Sequence, residues 1–191
     1  ERFLEYVKID TQSSEESDTY PSTPGQWDLL RLLRDECLEI GLEDVYMDEI
    51  GYVFDTVPAT SEKQDIPVIG FIAHVDTSPE MSGKDVKAVF HCDYGGGDIV
   101  LPDDPSAVIS AEGNPALAAQ VGNDIITSGG TTLLGADNKA GVAEIMAAAE
   151  YLLAHPEIQH GKVRIGFTPD EEVGTGTKFF DVEKFGAYCA Y

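Results

Sequence analysis

Two short apolar runs constrain the fold of this chain most, because each leads directly into a cluster of polar side chains. Residues 67–72 (PVIGFI) and 162–167 (KVRIGF) have the composition of buried strands. The first run leads into residues 73–76 (AHVD) and the second into residues 168–172 (TPDEE). Helix-like segments separate such runs, which predicts an α/β sheet with parallel members. Ligands of such sheets gather beyond the carboxyl ends of the strands, where both polar clusters lie.

The remaining segments alternate between helical and extended patterns. We predict helices and strands that flank a mixed, largely parallel sheet, the architecture of an α/β catalytic domain. The predicted helices are 1–9, 23–41, 115–121, 140–154 and 181–185, and the predicted strands are 45–47, 52–57, 86–90, 99–101, 107–110 and 187–191, with a hairpin of 124–128 and 131–134.

Composition excludes several classes of partner. The 191 residues carry 35 acidic and 12 basic side chains, a formal net charge of −23. Nucleic acids and anionic membrane surfaces are therefore poor partners. No apolar run approaches the roughly 20 residues that span a bilayer. Three widely spaced cysteines argue against a disulfide scaffold and favour a reducing compartment, so we expect a cytoplasmic protein.

The polar clusters contain the ligand types of a divalent transition metal. His74 supplies an imidazole, and Asp76, Glu171 and Glu172 supply carboxylates. Asp137 is a third candidate, placed between a strand and the long helix, where its two oxygens could bridge two metal ions. A spare carboxylate beside a metal can accept a proton from water. The residues alone also allow a structural histidine, a helix cap at Asp137 and a solvated glutamate turn.

Three segments in this order resemble a known family. The stretches HVDTSP (74–79), LLGADNKAG (133–141) and TPDEEVG (168–174) are similar to the metal-site motifs of the cocatalytic zinc aminopeptidase and deacylase superfamily of M20-type metallopeptidases. Within it, the tripeptide aminopeptidases are the branch that the chain resembles most. The resemblance covers essentially the whole chain and implies a zinc-exopeptidase-like fold with two Zn²⁺ ions in a complete active site.

The resemblance also implies a role for each candidate residue. His74 and Glu172 are implied to be ligands of different zinc ions, and Asp137 the ligand that bridges them. Asp76 is implied to orient and polarise His74. Glu171 is implied to be the general base, which takes a proton from the attacking water and passes it to the leaving amine.

Two features of this chain bear on how complete the site is. Asn138 stands where the commoner family pattern has aspartate, and the family implies a cis peptide bond between Asp137 and Asn138. Further family ligands and the substrate lid are expected beyond Tyr191. We therefore expect residues 1–191 to be the N-terminal part of a catalytic domain whose C-terminal part and lid domain are absent, and we expect this fragment to be inactive.

The resemblance implies an aminopeptidase that releases the N-terminal residue of tripeptides, with small peptides as partners and an oligomer possible for the full-length enzyme. A related dizinc amidohydrolase that acts on N-acyl amino acids or dipeptides is the alternative within enzymes. A non-catalytic acidic domain that binds a cation or a partner is the alternative from another class, although calcium would favour six to eight oxygen ligands over an imidazole.

Overall fold

The computed structural model describes all residues from 1 to 191. The helices are α1 (Arg2–Tyr6), α2 (Pro24–Ile40), α3 (Pro115–Ala118), α4 (Ala136–Ala154) and α5 (Val182–Phe185). The strands are β1 (Glu43–Met47), β2 (Val53–Val57), β3 (Ile69–His74), β4 (Val89–His91), β5 (Ile99–Val100), β6 (Val108–Ile109), β7 (Ile125–Thr127), β8 (Val163–Thr168) and β9 (Cys189–Ala190).

A five-stranded mixed sheet with the order β1-β2-β8-β3-β9 forms the centre of the fold. Strands β8, β3 and β9 are parallel, whereas β1 and β2 add an antiparallel flank beside β8. The predicted mixed α/β class is therefore confirmed, with the parallel part confined to three strands. The two apolar runs of the sequence form β3 and β8, which are direct neighbours in the sheet.

Helices cover both faces of this sheet. The larger core lies where α2 and α4 pack on one face, around side chains such as Leu30, Met146 and Phe167. A smaller aromatic cluster of Tyr52, Phe54 and Phe185 brings α5 against the other face. None of the helices is both long and apolar enough to cross a membrane.

The segment between β3 and α4 forms two small antiparallel sheets outside the main one. Strand β4 pairs with β7, and β5 pairs with β6, around a separate four-residue core that includes Tyr94 and Leu117. The predicted hairpin of 124–128 and 131–134 is wrong, because β7 takes β4 as its partner. Residues 131–134 instead form an irregular connection to α4, with the Leu133 amide bonded to the Ser82 carbonyl.

Helix α4 begins four residues earlier than the sequence pattern predicts. Its first turn is kinked, because Asp137 and Asn138 have non-helical backbone angles. The peptide bond between these two residues is cis, as the family resemblance implied. The kink sets Asp137 at the entrance to the helix, beside the end of β3.

Asp55 of β2 is a carboxylic acid buried inside the core. Its Oδ2 accepts a hydrogen bond from the Cys37 thiol at 3.2 Å, and its Oδ1 makes no hydrogen bond. Burial raises the pKa of Asp55 to about 7, although the Cys37 bond and the charge of Arg164 oppose that shift. The folded state thus binds the proton more tightly than the unfolded state, and stability falls as the pH rises from about 4 to about 7.

We expect Asp55→Asn to stabilise this chain at pH 8 by about 1–3 kcal/mol and to change its stability little at pH 4, because the amide removes the charge that burial opposes. Urea denaturation at the two pH values measures this difference. Asp18→Asn removes the same charge from an exposed loop and serves as the matched control. An equal effect of Asp55→Asn at both pH values would contradict a titrating buried carboxyl.

Candidate metal centre

The two polar clusters of the sequence meet at one edge of the sheet. Because β3 and β8 are parallel and paired from Ile69 and Val163 onward, His74 lies directly beside Thr168 at their carboxyl ends. The loop after Thr168 carries Glu171 and Glu172. The His74 side chain is largely buried, which limits the directions in which its ring nitrogens can find partners.

Asp137 completes a group of three potential ligands. Helix α4 packs against β3, and its kinked start brings Asp137 Oδ1 to 3.0 Å from His74 Nε2. One ligand atom from each of His74, Asp137 and Glu172 lies within 4.8 Å of the others. The predicted convergence of these side chains is confirmed, and their individual roles stay predictions.

Asp76 connects the imidazole to the glutamate loop. Its backbone carbonyl lies 3.1 Å from His74 Nδ1, and its Oδ1 lies 3.3 Å from the same nitrogen. The same carboxylate accepts the backbone N–H of Glu171 at Oδ1 and that of Glu172 at Oδ2, both at 3.0 Å. This fully buried residue therefore fixes the ring of His74 and also the backbone from which both glutamates project.

Glu171 occupies the open side of the group. Its Oε2 lies 3.7 Å from His74 Nε2, and its side chain is 59% exposed. Glu172 is less exposed and belongs to the ligand group itself. Two neighbouring glutamates thus differ in surroundings: one is available to solvent and the other faces the imidazole and Asp137.

The surrounding carboxylates decide the charge of the imidazole. Burial alone would lower the pKa of His74, but hydrogen bonds and charge from Asp76, Asp137 and Glu171 outweigh it and raise the pKa to about 9. Burial and the same carboxylates raise the pKa of Glu172 above its ordinary value, against the opposing charge of His74. Without a metal, the imidazole therefore holds a proton among acidic groups.

The donor set fits a divalent transition metal. Imidazole nitrogen and carboxylate oxygen are both zinc ligand types. Asp76 lies at Nδ1 of His74, so Nε2 of the same ring is left to face Asp137. Two ions would need more protein ligands than these three.

Lys139 is a buried residue of the site region that the sequence pattern did not single out. It lies one residue beyond Asn138, and its Nζ donates a hydrogen bond to the Ile9 carbonyl at 2.8 Å. Burial lowers the pKa of Lys139 to about 8, although the charges of Asp10 and Asp76 oppose that shift. The sequence did carry a signal for this residue, because Lys139 falls on the apolar face of the helix. A lysine that is buried there needs a hydrogen-bonding partner.

Comparison with known proteins gives the class of protein first. No family model matches the chain. The structure is similar to the aminopeptidase PepT from Bacillus cereus, with a TM-score of 0.65 and 26% identity over 99% of this chain and 40% of that protein. A tripeptidase from Staphylococcus aureus has the same fold, with a TM-score of 0.65 and 24% identity. The fold is therefore that of an α/β peptidase of this class.

Sequence comparison then gives the particular relatives. The chain is 56% identical over all 191 residues to peptidase T from Geobacillus sp. strain WCH70, and 54% identical over 190 residues to peptidase T from Listeria monocytogenes. It spans 46% of the length of each relative. The chain is thus similar over all of its residues to a little under half of each peptidase T sequence.

Proposed function

We propose that residues 1–191 are the N-terminal part of the catalytic domain of a zinc-dependent aminopeptidase that releases the N-terminal residue of tripeptides. The observation that carries the proposal is the convergence of His74, Asp137 and Glu172 within 4.8 Å, with Glu171 on the open side. Similarity of all 191 residues to 46% of the length of a protein named peptidase T supports the substrate class. We also propose a cytoplasmic location, which the three free cysteines support.

In the proposed site, His74, Asp137 and Glu172 would hold the metal ions together with ligands from the rest of the protein. Bound zinc supplies Lewis acidity toward a peptide carbonyl and toward water. Asp76 keeps the His74 ring in one orientation through Nδ1. Glu171 is free to accept a proton from water and to deliver it to the departing amine, because its exposed carboxylate borders the ligand group.

Turnover by the complete protein tests this function. The protein that contains this chain and the remaining length of its relatives is assayed with tripeptides, dipeptides and N-acyl amino acids, before and after treatment with a chelator. We expect tripeptide cleavage that is lost with the metal and restored by zinc. Preference for N-acyl amino acids or dipeptides would favour the amidohydrolase alternative. Absence of cleavage of every substrate, with or without zinc, would favour a non-catalytic acidic domain.

Zinc binding to the complete protein is expected to release about one proton near pH 7, since a pKa of about 9 leaves His74 protonated before a metal takes its Nε2. The apparent zinc affinity should therefore rise roughly tenfold per pH unit between pH 6 and 8. Titration calorimetry in two buffers of different protonation enthalpy measures the released proton. His155→Ala removes a histidine at the far end of α4 and serves as control. Identical enthalpies in both buffers would contradict the expectation.

A further inference from the structure

A buried hydrogen-bond cluster ties the start of α2 to the glutamate loop. Its members are Ser22, Gln26 and Asp170, whose residues are 9%, 0% and 1% exposed. Ser22 lies two residues before α2, Gln26 lies in its first turn, and Asp170 directly precedes Glu171. None of the three belongs to the proposed metal ligands or to the proposed base.

Gln26 and Asp170 form a reciprocal pair. Gln26 Nε2 donates to Asp170 Oδ1 at 2.7 Å, and Gln26 Oε1 accepts the backbone N–H of Asp170 at 3.1 Å. Ser22 completes the cluster, because its backbone N–H donates to Asp170 Oδ2 at 2.7 Å and its hydroxyl donates to Oδ1 at 2.5 Å. Hydrogen bonds to a buried carboxylate are stronger than those between neutral groups. Asp170 is therefore held firmly on both oxygens and on its backbone.

The position of Asp170 determines where the next two residues project. Its φ of 56° lies in the left-handed region, which is uncommon for non-glycine residues although aspartate tolerates it better than most. Immediately after it, the backbone N–H groups of Glu171 and Glu172 are held by Asp76. The side chains of the two glutamates thus project from a backbone that Gln26 holds on the α2 side and Asp76 holds on the β3 side.

We propose that Gln26 and Ser22 are positioning residues for Glu171 and Glu172, acting through Asp170. The proposal rests on the function proposed above, since it assigns the cluster to the geometry of that site. A displacement of about 1 Å in a catalytic group can lower turnover by about 100-fold. The cluster is well placed to prevent such a displacement, because Asp170 is adjacent in sequence to Glu171.

Gln26→Glu in the complete protein tests the proposal with a side chain of nearly the same shape. It replaces the Nε2 donor with an oxygen that faces Asp170 Oδ1, so two carboxylates repel each other where a hydrogen bond existed. We expect kcat for a tripeptide to fall by about 100-fold, with KM and zinc content little changed. The visible absorption spectrum of the protein loaded with Co²⁺ should change as well, because it reports the arrangement of the metal ligands.

A compensating change separates positioning from general stability. In the double variant with Gln26→Glu and Asp170→Asn, the amide of residue 170 can donate to the carboxylate of residue 26, which reverses the direction of the original bond. Glu at 26 still accepts the backbone N–H of residue 170. We expect the double variant to recover kcat to within about tenfold of the unmodified protein and to regain its Co²⁺ spectrum. Ser22→Ala, which removes one hydroxyl, should give a smaller loss of kcat.

Each result of these measurements has a definite meaning. Gln64→Glu adds the same charge at an exposed position and should leave kcat and the spectrum unchanged. If Gln26→Glu only lowers the melting temperature, or if the double variant is no better than the single one, the positioning role is overturned while the proposed function stands. If the unmodified protein binds Co²⁺ but cleaves no peptide, the proposed function fails. In that case the Co²⁺ spectrum still tests the positioning role, which an unchanged spectrum of Gln26→Glu would overturn. If it binds no Co²⁺, both proposals are overturned.

Discussion

Glu171→Ala in the complete protein is expected to lower tripeptide turnover by about 1,000-fold or more while the zinc content stays nearly unchanged. The exposed carboxylate of Glu171 borders the ligand group without belonging to it, so its loss removes a proton acceptor and leaves the ligands in place. Glu172→Ala should also lower turnover, but through loss of metal, because Glu172 contributes one of the three converging ligand atoms.

Elemental analysis and single-turnover kinetics of both variants measure this division of roles. Glu183→Ala removes an exposed glutamate from α5 and should change neither quantity. Equal loss of zinc in Glu171→Ala and Glu172→Ala would contradict the assignment of one glutamate to proton transfer and the other to ligation. Rescue of Glu172→Ala by excess zinc would further support it, because a weakened site refills by mass action.

The sequence predicted the positions of the site well because strand patterning and site chemistry coincide. The carboxyl ends of parallel strands lie at the same edge of a sheet. Because β3 and β8 are parallel neighbours, His74 at the end of β3 lies close to the glutamates that follow β8. The three-residue convergence followed from that topology together with the helix start at Asp137. The apolar runs carry enough information for this level of prediction, although α4 begins four residues before its predicted start.

The sequence was less informative where pairing partners are distant or where a polar side chain is buried. Strand β7 was assigned to the wrong hairpin, because a three-residue strand has no pattern that distinguishes a partner nearby from β4, more than 30 residues away. Gln26 was predicted only as one residue of the helix over 23–41, since nothing local shows that its amide pairs with Asp170. Long-range hydrogen bonds of this kind depend on how helices dock, which periodicity does not encode.

Residues 1–191 alone are expected to show no measurable tripeptide turnover and to bind zinc weakly or incompletely. Three converging ligands are fewer than two zinc ions require, even when water occupies one position at each ion. The chain also spans only 46% of the length of its peptidase T relatives, so groups that close the site and hold the substrate can lie in the remainder. Calorimetric zinc titration and a tripeptide assay in excess zinc measure the two expectations.

The complete protein, assayed in parallel, provides the reference for both measurements. The His74→Ala form of residues 1–191 shows whether residual zinc binding uses the proposed ligands, because the variant removes the only imidazole of the group. Weak zinc binding that disappears in this variant would identify an incomplete metal site, in which the ligands are correctly placed but too few. Turnover by residues 1–191 at the roughly 1–1,000 per second of ordinary enzymes would contradict the assignment and would require catalytic ligands within this chain beyond the three that converge at His74.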